Sequence, residues 1–160
     1  NCNLPSDIRA KSIDEVNSAF NIIQDAKIKE YHYYFSSGLK SHPFNAPFIR
    51  DFGKQLNTDA MIEAAKCFKG FHNFKRYCSK PSEDTIFERE IISSEIVPQD
   101  KFDGRFTAEN SFVFKVRGKG FMRYQIRLMM GALVEVGRGV WSIEDLKSSL
   151  IKTDKENINK

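Results

Sequence analysis

The sequence predicts an α+β domain, and three observations carry that reading. An aromatic run at 29–35 (Lys-Glu-Tyr-His-Tyr-Tyr-Phe) nearly alternates in polarity, the period-2 pattern of a strand with one covered face. Two more alternating runs, 87–97 and 111–117, are joined by a polar connection at 99–110 that lets them pair antiparallel. Between and after them, 59–68 and 121–136 place apolar residues at helical spacing.

Taken in order, Leu4-Pro5-Ser6-Asp7 opens with turn chemistry, and 8–20 fits either a strand or a short helix. In the strand at 29–35, Tyr31, Tyr33 and Phe35 share one face, and Glu30, His32 and Tyr34 the other. The Gly, His and two prolines of 36–47 mark a loop. Thr58 is placed to cap a helix over 59–68, with Met61, Ala64, Ala65 and Phe68 on its apolar side and Gly70 past its end. The stretch 70–77 reads as a loop dense in aromatic and basic side chains. In the helix at 121–136, Met122, Ile126, Met129, Met130 and Leu133 form a buried stripe. Arg123, Arg127, Gly131 and Glu135 form a second one, spaced by four. Gly131 costs about 1 kcal/mol of helix stability relative to alanine. That cost implies either a close backbone approach or room kept beside Arg127. Gly137-Arg138-Gly139 ends this helix, and Ser142 with Asp145 three residues on begins a last one.

With 41% hydrophobic and 29% charged residues, a chain of 160 residues can bury a core and is not a disordered segment. One domain over 1–151 accounts for it, followed by a charged, fraying tail at 152–160. Fourteen phenylalanines and five tyrosines fill that core and leave aromatic faces for stacking. The net charge of +4 is compatible with a polyanionic partner, and its distribution says more. Between 115 and 138, the six cations Lys115, Arg117, Lys119, Arg123, Arg127 and Arg138 stand against Glu135 alone. The remainder of the chain is slightly acidic, so the positive field is local.

Arg123 and Arg127 fall in the first two turns of the 121–136 helix, where the macrodipole favours anions. Stability alone would put Asp or Glu there, so the pair points to an anionic partner. The plain alternative is two surface arginines on an amphipathic helix. Cys2, Cys67 and Cys78 show no metal-ligand spacing, and His32, His42 and His72 lie far apart, so no metal site is read from them. Free thiols fit a cytoplasmic protein. No apolar run is long enough to span a membrane, and no signal peptide is visible. The start at Asn1, without Met, suggests that residues upstream are missing.

Five blocks, in this order and at fitting separations, resemble the C-terminal domain of the TruA-type tRNA pseudouridine synthases. They are Leu4-Pro5-Ser6-Asp7-Ile8; Phe20-Asn21 with Lys29-Glu30-Tyr31-His32-Tyr33; Asp59-Ala60-Met61 with Ala64-Ala65; Gly70-Phe71-His72-Asn73-Phe74; and Gly118-x-Gly120-Phe121-Met122 through Ile126-Arg127 to Gly131. The resemblance runs from about Leu4 to Leu150. Asn21 and Ile23 stand where many members carry His and Arg, so no role of those two side chains is carried over. Asn73 replaces an Asp, a variant also found in the family. The family's nucleophilic aspartate, in an Arg-Thr-Asp-x-Gly-Val-His motif of a separate N-terminal domain, has no counterpart here. Lys152-Thr153-Asp154 is followed by the wrong residues. Arg50-Asp51-Phe52-Gly53 imitates a kinase Asp-Phe-Gly without the accompanying loops.

The resemblance implies a mixed or antiparallel sheet with helices on one face, one half of a two-domain synthase fold that works as a homodimer. It implies uridine-to-pseudouridine isomerisation in tRNA without a cofactor, and a chain that is inactive without its N-terminal catalytic domain. It also implies catalytic roles for two residues. Tyr31 stacks on the base and assists the C5 proton, where the alternative is a core tyrosine. Arg127 pairs with the missing aspartate, where the alternative is a surface or interhelix salt bridge. Lys119 and Arg123 are expected to meet phosphate, where the alternative is a solvated charged face, and His72, Lys75 and Arg76 to touch tRNA, with a structural hydrogen-bonding role as the other reading of His72. A non-catalytic RNA-binding domain is the alternative for the whole.

Overall fold

A computed structural model describes residues 2–38, 42–99 and 110–150. Its regular elements follow as β1 (Lys29–Ser36), β2 (Arg50–Asp51), α1 (Thr58–Lys66), β3 (Gly70–Asn73), β4 (Glu88–Pro98), β5 (Ser111–Gly118), α2 (Gln125–Gly137) and α3 (Ile143–Ser149), with short 3-10 turns at Pro43–Asn45 and Lys75–Tyr77. The strands form one mixed sheet in the order β2-β1-β5-β4-β3. Only β2 runs parallel to its neighbour; β1, β5, β4 and β3 pair antiparallel. The α+β architecture is the one expected, including the antiparallel pairing of the two long alternating runs.

Register decides which side chains meet the helices. Tyr31, Tyr33 and Phe35 lie opposite Val116, Phe114 and Phe112 of β5, and on the other side Ser94 and Ile96 lie opposite Val116 and Phe114. This face carries the core: Phe35, Phe114 and Val116 are fully buried together with Met61, Ala64 and Ala65 of α1 and Met129 and Leu133 of α2. Each such large apolar side chain contributes about 1.5–3 kcal/mol on burial. Ser94 Oγ donates to the Ala65 carbonyl at 2.7 Å, which ties β4 to α1 through a buried polar contact. The helix α3 closes the other end, with Leu146 buried and Tyr77 hydrogen-bonded to Ser149. Burial pushes the Tyr77 phenol up from its ordinary pKa.

Several local expectations need correction. Residues 8–20 are neither strand nor helix; 2–28 hold only local turns, and Ile13 is 93% exposed among the described residues. The cap of α1 is Asn57 rather than Thr58: its side chain accepts from Ala60 N–H at 3.1 Å, and its own N–H donates to the Gly137 carbonyl at 2.8 Å. The stretch 70–77 is not a loop throughout, since β4 offers an edge on which 70–73 complete a strand. The helix α2 begins at Gln125, because Tyr124 adopts the left-handed conformation (φ 60°) and breaks helical hydrogen bonding before it. Arg123 therefore precedes the helix. The capping box of α3 forms as expected, and hydrogen bonds from the Ser142 backbone and hydroxyl hold the Asp145 carboxyl below the ordinary range. That contribution is present above the usual carboxylate pKa and is lost as pH falls through the lowered value. The tail at 152–160 and most of the 99–110 connection lie outside the described residues.

The glycines of α2 separate by what surrounds them. A Cβ on Gly137 would stand 2.6 Å from Met61 Sδ and 3.3 Å from Leu56 Cβ, so this is the position where another element approaches closely. A Cβ on Gly131 would meet nothing within 4 Å. Urea denaturation should accordingly show Gly137→Ala destabilised by about 1–3 kcal/mol and Gly131→Ala stabilised by up to about 1 kcal/mol.

Candidate active site

At the open end of the helix-covered face, core gives way to a cleft. Phe35 is fully buried, whereas Tyr31, two alternate positions earlier on the same face, is 47% exposed. Its ring packs edge-to-face on Phe121 with centroids 5.1 Å apart. Phe121 is held in turn by the chain reversal after β5. Gly118 leaves no space for a side chain, since a Cβ there would stand 3.0 Å from the Glu90 carbonyl oxygen and 3.2 Å from Phe121 Cζ. A β-bulge at Ile92, between the pairs Ile91–Gly118 and Ser93–Arg117, sits at the same corner.

The cleft encloses about 320 Å³ between β1 and the first turn of α2, and Tyr31, Phe121, Tyr124, Gln125 and Arg127 all line it. The two residues expected to be catalytic thus come together, 96 positions apart in sequence, on adjoining walls. Arg127 occupies the third position of α2, where a cation opposes the helix dipole. Among the described residues it has no carboxylate within 4.0 Å; its guanidinium lies 5.2 Å from the Tyr124 ring centroid, and that of Arg123 lies 5.4 Å from the same ring. Tyr124 therefore serves as a shared cation–π platform. Its left-handed backbone carries no side-chain cap, and the N–H groups of Ile126 and Arg127 find no acceptor among the described residues. The first turn of α2 is an electropositive, donor-rich wall.

A larger groove of about 1120 Å³ continues from this cleft, sharing His32, Tyr33 and Arg127 with it. Its far wall comes from 42–52, including His42, Phe48 and Arg50, and Gly131 and Arg138 border it on the helix side. Gly131 thus keeps room beside Arg127, the second of the two expectations for it. On the opposite face of β1, His32 Nε2 donates to Glu30 Oε1 at 2.6 Å, and this bond, reinforced by Arg117, holds the Glu30 carboxyl below its ordinary pKa.

The expected RNA-contacting residues are dispersed. Lys119 pairs with Glu90 at 3.0 Å, both side chains being more than half exposed. Such a pair contributes only about 0–1 kcal/mol and is readily exchanged for another anion. His72 Nε2 bonds the Lys69 carbonyl at 3.0 Å, and its ring meets Phe74 edge-on, so this histidine braces the α1–β3 turn. Asn73 does similar work, accepting from Lys75 N–H and donating to Glu88. Lys75 and Arg76 are exposed on the following 3-10 turn, and Ser79 N–H donates to the Arg123 carbonyl at 3.2 Å, which draws that segment alongside Arg123. Sequence reasoning missed Tyr124, Gln125, Phe48 and Arg50. Only the lone aromatic between two arginines offered a signal, and only for Tyr124.

A family model described as tRNA pseudouridine synthase matches residues 64–160, a stretch that holds Arg127 and the whole of α2. The chain belongs to the tRNA pseudouridine synthase family. The protein named tRNA pseudouridine synthase A 2 of Bacillus thuringiensis subsp. konkukian is 30% identical over 156 residues, which cover 98% of this chain and 60% of that relative. The tRNA pseudouridine synthase A of Pseudothermotoga lettingae is 31% identical over 155 residues, and that of Bacillus pumilus 31% over 157 residues, each again covered to 60%. The chain thus spans about three fifths of the length of these curated synthases, as its 60% coverage of each states. Their matches take in β1 with Tyr31, which the family model does not.

The strained tyrosine at the mouth of the cleft yields a stability prediction. Because a left-handed non-glycine residue costs about 1 kcal/mol or more, Tyr124→Gly should keep or raise the thermal midpoint, and Tyr124→Val should lower it. A fall with Tyr124→Gly as large as that with Tyr124→Val would show that the ring's contacts outweigh the backbone strain.

Proposed function

We propose that this chain is the C-terminal part of a tRNA pseudouridine synthase that isomerises uridine to pseudouridine, and that the nucleophilic aspartate lies in a domain upstream of it. The observation that carries the reading is the meeting of Tyr31 and Arg127 in one cleft, with no carboxylate on Arg127 among the described residues. The reaction breaks the bond between base and sugar, turns the base, and rejoins it through C5, whose proton is released. It calls for a carboxylate nucleophile, an aromatic surface for the turned base and a group beside C5. Tyr31, half exposed on a strand, supplies the surface and a hydroxyl. Arg127 keeps the incoming aspartate ionised and aimed, since an opposite charge at close range favours the charged form.

The uridine must leave its stack to reach such a cleft. Arg123, Lys119, Lys75 and Arg76 hold the tRNA backbone in this reading, and His72 shapes the surface between them. The larger groove beside Arg127, with Phe48 exposed and Arg50 on its wall, offers a path for the strand on either side of the target. Exposed apolar residues at 8–28, including Ile22 at 79% and Ile23 at 75%, fit a surface that another part of the protein covers. The working enzyme is a cytoplasmic homodimer, and the chain by itself is inactive.

The test is tritium release from tRNA labelled at uridine C5, because forming the new bond at C5 expels that hydrogen to solvent. The full-length reading frame should release it, and this chain alone should not. In the full-length protein, Arg127→Ala should slow release by about 100-fold or more, the order seen when a group stabilising charge at the reacting centre is removed. Unchanged turnover would refute its role. Binding of tRNA should weaken linearly on a log–log plot against salt, and each of Arg123→Ala, Lys75→Ala and Arg76→Ala should lower that slope by about 1. Binding without tritium release from any uridine-containing tRNA would leave a non-catalytic RNA-binding protein.

A further inference from the structure

Gln125 opens α2, and its side-chain amide is only half used. Oε1 accepts from Met122 N–H at 2.8 Å, which fixes which end of the amide faces which way. Nε2 is left with no acceptor among the described residues, in a side chain only 1% exposed. A buried polar group in this condition is destabilising, because it has given up water and gained no partner in return. The nitrogen is enclosed, so an acceptor reaches it only when a neighbouring side chain moves aside. A methionine or leucine here would fill the same space without that cost.

The surroundings say what is lacking. Gln125 lines the cleft beside Tyr31 and Arg127. The Arg127 guanidinium, the N–H groups of Ile126 and Arg127, and Gln125 Nε2 are all donors, all in one helical turn, and all without an acceptor among the described residues. One of them is a full cation, and the helix end adds partial positive charge. A neutral carbonyl would leave Arg127 uncompensated. A backbone phosphate would have to bring its two flanking sugars to the floor of a cleft of about 320 Å³. A carboxylate on a slender side chain supplies the charge, enough lone pairs for several donors, and the reach.

Resting on the reading of Arg127 above, we infer that Gln125 is a positioning residue whose Nε2 donates to the same carboxylate that Arg127 pairs with. Donors from the first and third positions of one helix hold the carboxylate in direction as well as in charge, with one oxygen restrained and the other free to act as nucleophile. Tyr31 stands at the same cleft, half exposed and packed on Phe121 by its edge alone. Exposed side chains change rotamer within nanoseconds, so it can turn aside as the carboxylate enters.

Two variants of the full-length protein separate this role from a purely structural one. Gln125→Glu keeps the oxygen that accepts from Met122 N–H but turns the free end into a second anion facing the carboxylate. Gln125→Met loses both bonds and repels nothing. The inference expects tritium release to fall by about 100-fold or more in Gln125→Glu and by about tenfold in Gln125→Met. It also expects the acid limb of kcat/KM in Gln125→Met to move to higher pH, since a carboxylate stripped of a donor takes up its proton more readily. The reverse order of damage would mean that Gln125 only braces the turn at Met122. An acid limb that stays in place would equally overturn the inference. Wild-type protein assayed alongside keeps the two claims apart: no release from it sinks the synthase reading, whereas wild-type release matched by both variants sinks only the role of Gln125.

Discussion

Everything at the cleft depends on one register. Tyr31 faces α2 because it lies opposite Val116, with Tyr33 and Phe35 following opposite Phe114 and Phe112. A slip of one residue between β1 and β5 would turn all three aromatic rings to the other face and bring Glu30, His32 and Tyr34 against the core. Burial prevents that slip. Phe35 and Phe114 are both fully enclosed, and exchanging them for polar neighbours would cost far more than any single hydrogen bond of the sheet returns. The core thus sets the position of a side chain that is itself half outside it.

The second determinant is where α2 starts. If the helix began at 121, Arg123 and Arg127 would share a face, and no donor-rich first turn would point at Tyr31. The left-handed Tyr124 instead places Arg127 at the third helical position and leaves Arg123 in the turn before it, both against the same ring. Unpaired donors and a strained residue at one helix start are poor choices for stability. They are consistent choices for a wall built to receive an anion.

Periodicity made the long elements legible: β1, β4, β5 and α2 each bury one face of a regular pattern, and the alternation of Tyr31, Tyr33 and Phe35 survives intact. The family resemblance singled out Tyr31 and Arg127 as expected site residues, and the structure brings them to one cleft. What the sequence concealed turns on tertiary context. The short strand β3 exists only because β4 presents an edge to it, and no pattern in Gly70–Asn73 announces that. The choice between Asn57 and Thr58 as cap was decided by the Gly137 carbonyl, 80 residues away. Gln125 looks like one more polar residue on a helix until its burial is known. Residues 8–20 misled for the opposite reason, carrying apolar residues at plausible spacing that are not buried among the described residues.

That leading stretch also affects how the chain unfolds. No apolar side chain of residues 2–28 is buried, and Ile13, Ile22 and Ile23 are each at least 75% exposed, so much of this stretch is already open in the native state. The surface newly exposed when the sheet and helices come apart is therefore that of a shorter polypeptide. Because the denaturant slope and the heat-capacity increment both scale with that surface, each should report a cooperative unit smaller than the chain length implies. Amide exchange would divide at β1, fast before Lys29 and slow once the pairing with β5 begins.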